Sequence, residues 1–220
     1  MLAKRQHIYP IVLLICVLCI SVANATSQPE PKPGSFCPGS EIRLVVAEEL
    51  SASLDLTLHS MAALVNKNKE VAFNDLNNAG TILYLAASRG AAARSNLLLD
   101  AVIQAKHGED FSSMLDWFPL LQTSLQTIPD DPAVTKARTL IFGAEDIMQY
   151  QKDADPIKPL KEARHMLACD ALDLPLQEAK KAQQLLMSKF NKGIPKNTDY
   201  SRLLDPLRSA LAYSMSGHVE

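Results

Sequence analysis

Three aspartates, each just ahead of a proline, cut the second half of this chain into rods. They are Asp131-Pro132, Asp155-Pro156 and Asp173-Leu174-Pro175. Aspartate accepts hydrogen bonds from the free N–H groups of a first helical turn, and proline there has no N–H to leave unpaired. The rods carry a repeated seam, Pro159-Leu160-x-x-Ala163-x-x-x-Leu167 and Pro206-Leu207-x-x-Ala210-Leu211, with an earlier echo in Leu76-x-x-Ala79-x-x-x-Leu83. A small alanine between large aliphatics on one helix face lets a neighbouring helix come close. Asp131 to Tyr213 therefore reads as two helix–turn–helix hairpins in succession.

The first half reads the same way. Leu50, Leu54, Leu58, Met61 and Val65 form one apolar stripe, which predicts a long helix over 41–66. Lys67-Asn68-Lys69 is a tight polar turn. The return helix, 70–88, shows Ala72, Leu76, Ala79, Leu83 and Ala86 on one face. Arg89-Gly90 ends it, with glycine suited to the left-handed position past a helix. A third helix runs over 91–106 with Leu97, Leu98, Ala101, Val102 and Ala105, and stops at His107-Gly108. The segment 109–128 holds Phe111, Trp117 and Phe118, and Pro119 should kink or divide it. Further helices are expected over 132–152, 156–172, 174–192 and 199–215. No window alternates apolar and polar residues over the length of a strand. The fold class is all-α: successive antiparallel helical hairpins over residues 41–216, as a bundle or a tetratricopeptide-like array, without the tryptophan, glycine and tyrosine signature of strict tetratricopeptide units.

Residues 1–25 have the form of a cleaved signal peptide. Lys4 and Arg5 precede an apolar core, Ile11 to Ile20, and Ala23-Asn24-Ala25 supplies small residues for cleavage. The expected product is periplasmic and keeps no transmembrane segment. Residues 26–40 read as a linker rich in proline and glycine. With Lys4 and Arg5 set aside, 20 basic residues face 24 acidic ones, scattered and without a basic block. Such a surface argues against nucleic-acid binding, which needs clustered cations.

Cys16 and Cys19 leave with the signal, so Cys37 and Cys169 remain. In an oxidising compartment two cysteines read as one disulfide, here pinning the N-terminal arm to the C-terminal hairpins.

Motifs for chemistry are sparse. His165 and Cys169 share a helix face and are only two ligands of a possible metal site, fewer if Cys169 is bonded to sulfur. Asp173 with Glu178 and Glu145 with Asp146 read as a cap and a solvated face rather than as paired catalytic acids. No nucleophile elbow, phosphate loop or dinucleotide fingerprint occurs. The expectation is a protein without cofactor, metal or catalytic residues.

Two clusters are candidate binding residues. Ser88-Arg89-Gly90-Ala91-Ala92-Ala93-Arg94 sets Arg89 and Arg94 beside a helix start of small residues, where an anionic head group fits. Phe111, Trp117 and Phe118 meet at a helix break and read as an apolar pocket or as a core plug.

Pro159-Leu160-Lys161-Glu162-Ala163-Arg164, leading into Leu172-Asp173-Leu174-Pro175-Leu176 and then Ala179, Ala182, Leu185 and Leu186, resembles the YfdX family of exported bacterial helical proteins. The likeness spans about Asp131 to Tyr213. It implies a periplasmic all-α protein associated with stress tolerance and carries over no catalytic residues. The chain departs from the family at Asn191-Lys192-Gly193-Ile194-Pro195, a longer turn than the family pattern has. Two functional readings follow. One is a non-enzymatic helical protein that binds a protein partner or protects other proteins. The alternative is a carrier of a hydrophobic small molecule such as a lipid or sterol-like compound.

Overall fold

The computed structural model describes residues 30–106, 110–150 and 154–216. The signal-like segment, the first residues of the linker, the stop at His107-Gly108, Lys152 and the tail from Gly217 lie outside them. The chain divides into residues 1–30 and 31–220, and the latter unit is described here.

Among the described residues there are nine helices and no named strand: α1 Ser40–Val65, α2 Lys69–Ala87, α3 Ala91–Gln104, α4 Ser112–Leu115, α5 Phe118–Gln126, α6 Pro132–Tyr150, α7 Ile157–Met166, α8 Asp170–Lys192 and α9 Asn197–Met215. The expected all-α class holds. The hairpins do not stack in chain order, however. α1 pairs with α2 and α8 with α9, and then α1 packs on α9 and α2 on α8, closing a four-helix bundle. Helices α3 to α7, inserted between α2 and α8, surround a second core. In it α3 meets α4, α5 and α7, and α6 pairs with α7.

Local chemistry sets the helix starts. Asp131 Oδ1 accepts the Ala133 N–H at 2.7 Å and Asp155 Oδ1 accepts that of Ile157 at 3.1 Å, so both act as caps. The third Asp–Pro mark behaves differently. Residues 156–172 are not one helix: α7 stops at Met166, and α8 begins at Asp170 with Cys169 as its N-cap. Asp173 lies one turn inside α8 and reaches back to accept the Cys169 N–H at 2.8 Å. Pro175 falls inside α8 rather than at its start. The segment before α6 divides as expected, into α4 and α5, with Pro119 in the first turn of α5.

The α2 face is the expected one, with Ala72, Leu76, Ala79, Leu83 and Ala86 all buried. The α1 stripe needs correction. Its buried line is Val46, Leu50, Ser53, Thr57 and Ser60, while Leu54, Leu58 and Met61 pack on its flank and Val65 is exposed. Small hydroxyl residues face the alanines of α2, which brings the two backbones close. Each hydroxyl then finds a partner across or along the seam. Ser53 Oγ donates to Ala79 O at 2.9 Å, Thr57 Oγ1 to Ser53 O at 2.8 Å and Ser60 Oγ to Ala72 O at 2.6 Å. The Ser60 proton being used, the Tyr200 hydroxyl donates to Ser60 Oγ at 2.7 Å. Burial without such partners is costly. On α3 the buried aliphatics are Leu99 and Val102, with Leu97 and Leu98 only partly covered.

Cys37 and Cys169 form the expected disulfide across 132 residues. The arm before it is docked against the α7–α8 turn. Gly34 N donates to His165 O at 2.8 Å, Phe36 N to Ala168 O at 3.0 Å and Asp170 N to Gly34 O at 2.9 Å. Gly34 has φ +76°, which favours glycine, and a Cβ there would push the Asp170 carboxylate aside. Phe36 packs on the second core, whereas Cys169 belongs to the first.

Candidate functional site: a cavity where the two cores meet

A cavity of about 400 Å³ lies between the bundle and the inserted helices. Its walls come from five places in the chain. The arm contributes Phe36 to Gly39, α1 gives Ile42 and Val46, and the α2–α3 junction gives Ala86, Ala87 and Arg89 to Ala93. The α5–α6 turn adds Thr127 to Pro129, and α7–α8 supplies Leu167, Leu172, Asp173 and Leu176. The space exists because the α2–α3 junction is almost without side chains: Ala86, Ala87, Gly90, Ala91, Ala92 and Ala93 present methyl groups or less. Gly90 turns the chain with φ +87°, and a Cβ on it would stand 3.2 Å from Ile42 Cδ1. Conformation and closeness both call for glycine there.

The cavity is mostly apolar, with charge at two points. Arg89 stands in its wall, but Glu49 of α1 already holds the guanidinium. Nε donates to Glu49 Oε1 at 2.8 Å and Oε2 at 3.0 Å, and Nη2 makes a further contact with Oε1. This pairing raises the Arg89 pKa further above its usual value, through the hydrogen bond and the charge of Glu49. Asp173 is the second charged group. Burial pushes its carboxyl above the usual aspartate value, opposed by the Cys169 N–H bond and the charge of Arg164.

Of the candidate ligand-binding residues named from sequence, only Arg89 lines this cavity. Arg94 is exposed on α3 and away from its walls. Phe118 is fully buried in the second core and Phe111 packs on that core with the Lys106 ammonium 5.7 Å from its ring centre. Trp117, at the α4–α5 break, is 39% exposed. The three aromatics therefore belong to the inserted core and its surface. Cys37 and Cys169 are in the cavity wall as a disulfide, which removes Cys169 as a metal ligand. His165 Nε2 instead lies 3.1 Å from Asp170 Oδ2, beside the docked arm. Among the described residues no three His, Cys, Asp or Glu side chains gather in a metal-binding group.

Sequence reasoning missed most of the cavity. The arm and the α5–α6 turn are irregular, and periodicity is silent about which loops share a wall. The one legible sign was the run of small residues after Ser88, read as a head-group site for its arginines rather than as a gap left by its alanines.

The described helices include none long and apolar enough to cross a membrane. No family model, curated protein or solved structure matches this chain.

Proposed function

We propose that this chain is an exported helical protein that takes up a hydrophobic small molecule in the cavity between its two cores and does not transform it. The observation that carries this reading is the cavity itself. Its volume of about 400 Å³ falls in the range of ligand sites, roughly 300–1,000 Å³, and apolar residues dominate its walls. Export is supported by the signal-like residues 1–25 and by the disulfide, a bond that persists in oxidising compartments. The YfdX resemblance adds a periplasmic role in stress tolerance to the proposal.

Titration with N-phenylnaphthylamine, a neutral apolar reporter that fluoresces when taken out of water, tests it. Saturable binding at one site is expected, abolished by Ala92→Phe in a variant whose helical circular dichroism is intact. Equal binding by Ala92→Phe, or none by the native chain, overturns the reading.

A second reading, the binding of a protein partner, is favoured by a shallow groove of about 290 Å³ around Leu185 on α8, edged by Glu178, Lys181, Lys189 and Arg202. Leu185 is 60% exposed there. If Leu185→Glu leaves suppression of client aggregation unchanged, this groove has no such role.

A further inference from the structure

Beside the main cavity lies a small polar annex of about 40 Å³, and Ala87, Ala93, Asp173 and Leu176 stand in the walls of both. A volume of this size holds one water molecule or one small head group. One acceptor in its wall is short of a donor. Asp173 spends Oδ2 on the Cys169 N–H. Asn96, also in the annex wall, donates from Nδ2 to Leu167 O at 3.2 Å. Its Oδ1 is buried without any donor, in a residue only 7% exposed. That orientation of the amide is the one the carbonyl of Leu167 requires, since a carbonyl only accepts.

The charges around the annex are mostly balanced already. Arg164 gives Nε and Nη2 to the two carboxylate oxygens of Asp100, at 2.5 and 3.1 Å. Arg89, across the main cavity, is taken by Glu49. Lys180 lies two turns along α8 from Asp173, lines the annex, and its charge is felt at the Asp173 carboxyl; Asp170 acts on it in the opposite sense. Burial raises the carboxyl's pKa in spite of these cations.

Resting on the reading of the main cavity as a ligand site, we infer that the ligand is a cationic amphiphile. Its apolar body fills the main cavity, and its protonated amine enters the annex to donate to Asp173 and Asn96. This reverses the anionic head group expected from Arg89 and Arg94. An incoming carboxylate meets an arginine already neutralised and an aspartate of its own sign. An ammonium supplies a donor for Asn96 Oδ1 and a countercharge for Asp173, and a buried acceptor without a donor is the costly state that binding removes.

Three probes with one alkyl chain separate the cases: decylamine, decanol and decanoate, each displacing N-phenylnaphthylamine at neutral pH. Decylamine is expected to bind about tenfold tighter than decanol, the scale of one charge-assisted hydrogen bond, and decanoate more weakly than either. Asp173→Asn keeps an acceptor for the Cys169 N–H while removing the charge. It should bring decylamine down to the affinity of decanol and leave decanol unchanged. Decanoate binding as tightly as decylamine overturns the inference and leaves the cavity reading standing. So does a decylamine preference that survives in Asp173→Asn. Failure of all three to displace a bound reporter overturns both.

Discussion

The four-helix bundle and the inserted helices solve the same problem with different materials. The bundle is joined from distant parts of the chain, α1 and α2 with α8 and α9, and its central seam is built of small residues. Ala72 and Ala79 of α2 face Ser53, Thr57 and Ser60 of α1, with hydroxyls satisfied at 2.6 to 2.9 Å. The inserted core is continuous in sequence and is filled by larger, softer side chains, among them Met114, Phe118, Met148 and Met166. Methionine adapts its shape to irregular space, whereas an alanine–serine seam admits one separation of its backbones. The bundle thus gets its specificity from close approach and from hydrogen bonds, and the insertion from volume.

The largest test of that contrast is the disulfide, which fastens the arm to the point where the regions join. Replacing both Cys37 and Cys169 by alanine should cost about 5 kcal/mol in the chain-entropy view, for a bond across 132 residues. Urea unfolding followed by circular dichroism should then show two transitions, the inserted helices melting first. One unshifted transition would break the comparison.

A smaller effect separates the two kinds of packing. Ala79→Leu forces the α1–α2 seam apart and is expected to cost about 1–3 kcal/mol, whereas Met114→Leu in the inserted core should cost less than about 1.5 kcal/mol. Equal costs in thermal melts would mean that the seam is no tighter than the insertion.

The smallest effect concerns the buried hydroxyls. Ser60→Ala strands the Tyr200 hydroxyl and should lose on the order of 1–2 kcal/mol. Tyr200→Phe added to it removes the stranded group, so the double variant should be no less stable than Ser60→Ala alone. A double-mutant cycle with strictly additive losses would show that the pair contributes nothing together.

How much of this was legible in the sequence follows the range of the forces involved. Asp131 and Asp155 cap helices through contacts two residues away, and their spacing shows it. The α2 seam is visible because its five buried positions are all apolar. The α1 seam is not, because its buried positions include Ser53, Thr57 and Ser60, and the partners of Ser53 and Ser60 on α2 and α9 lie 12 to 140 residues away. The leucines that draw attention, Leu54 and Leu58, occupy the flank. Asp173 had the signature of a cap and does bond a helix-start N–H, but from inside α8, since Cys169 rather than Asp173 stands at the start. The cavity was the least legible feature. It is an absence of side chains at Ala86 to Ala93, enclosed by an arm and a turn with no periodicity, and Arg89 alone among the expected binding residues reaches it.

The insertion leaves the bundle after Ala87 and returns to it at Asp170, and the bundle helices on either side of this detour, α2 and α8, lie next to each other. Both crossings run through the wall of the cavity. The sulfur-bonded arm ties down the second of these crossings, since Cys169 stands at it. The room inside is walled by bundle and insertion together, so a guest that fits it touches both regions at once.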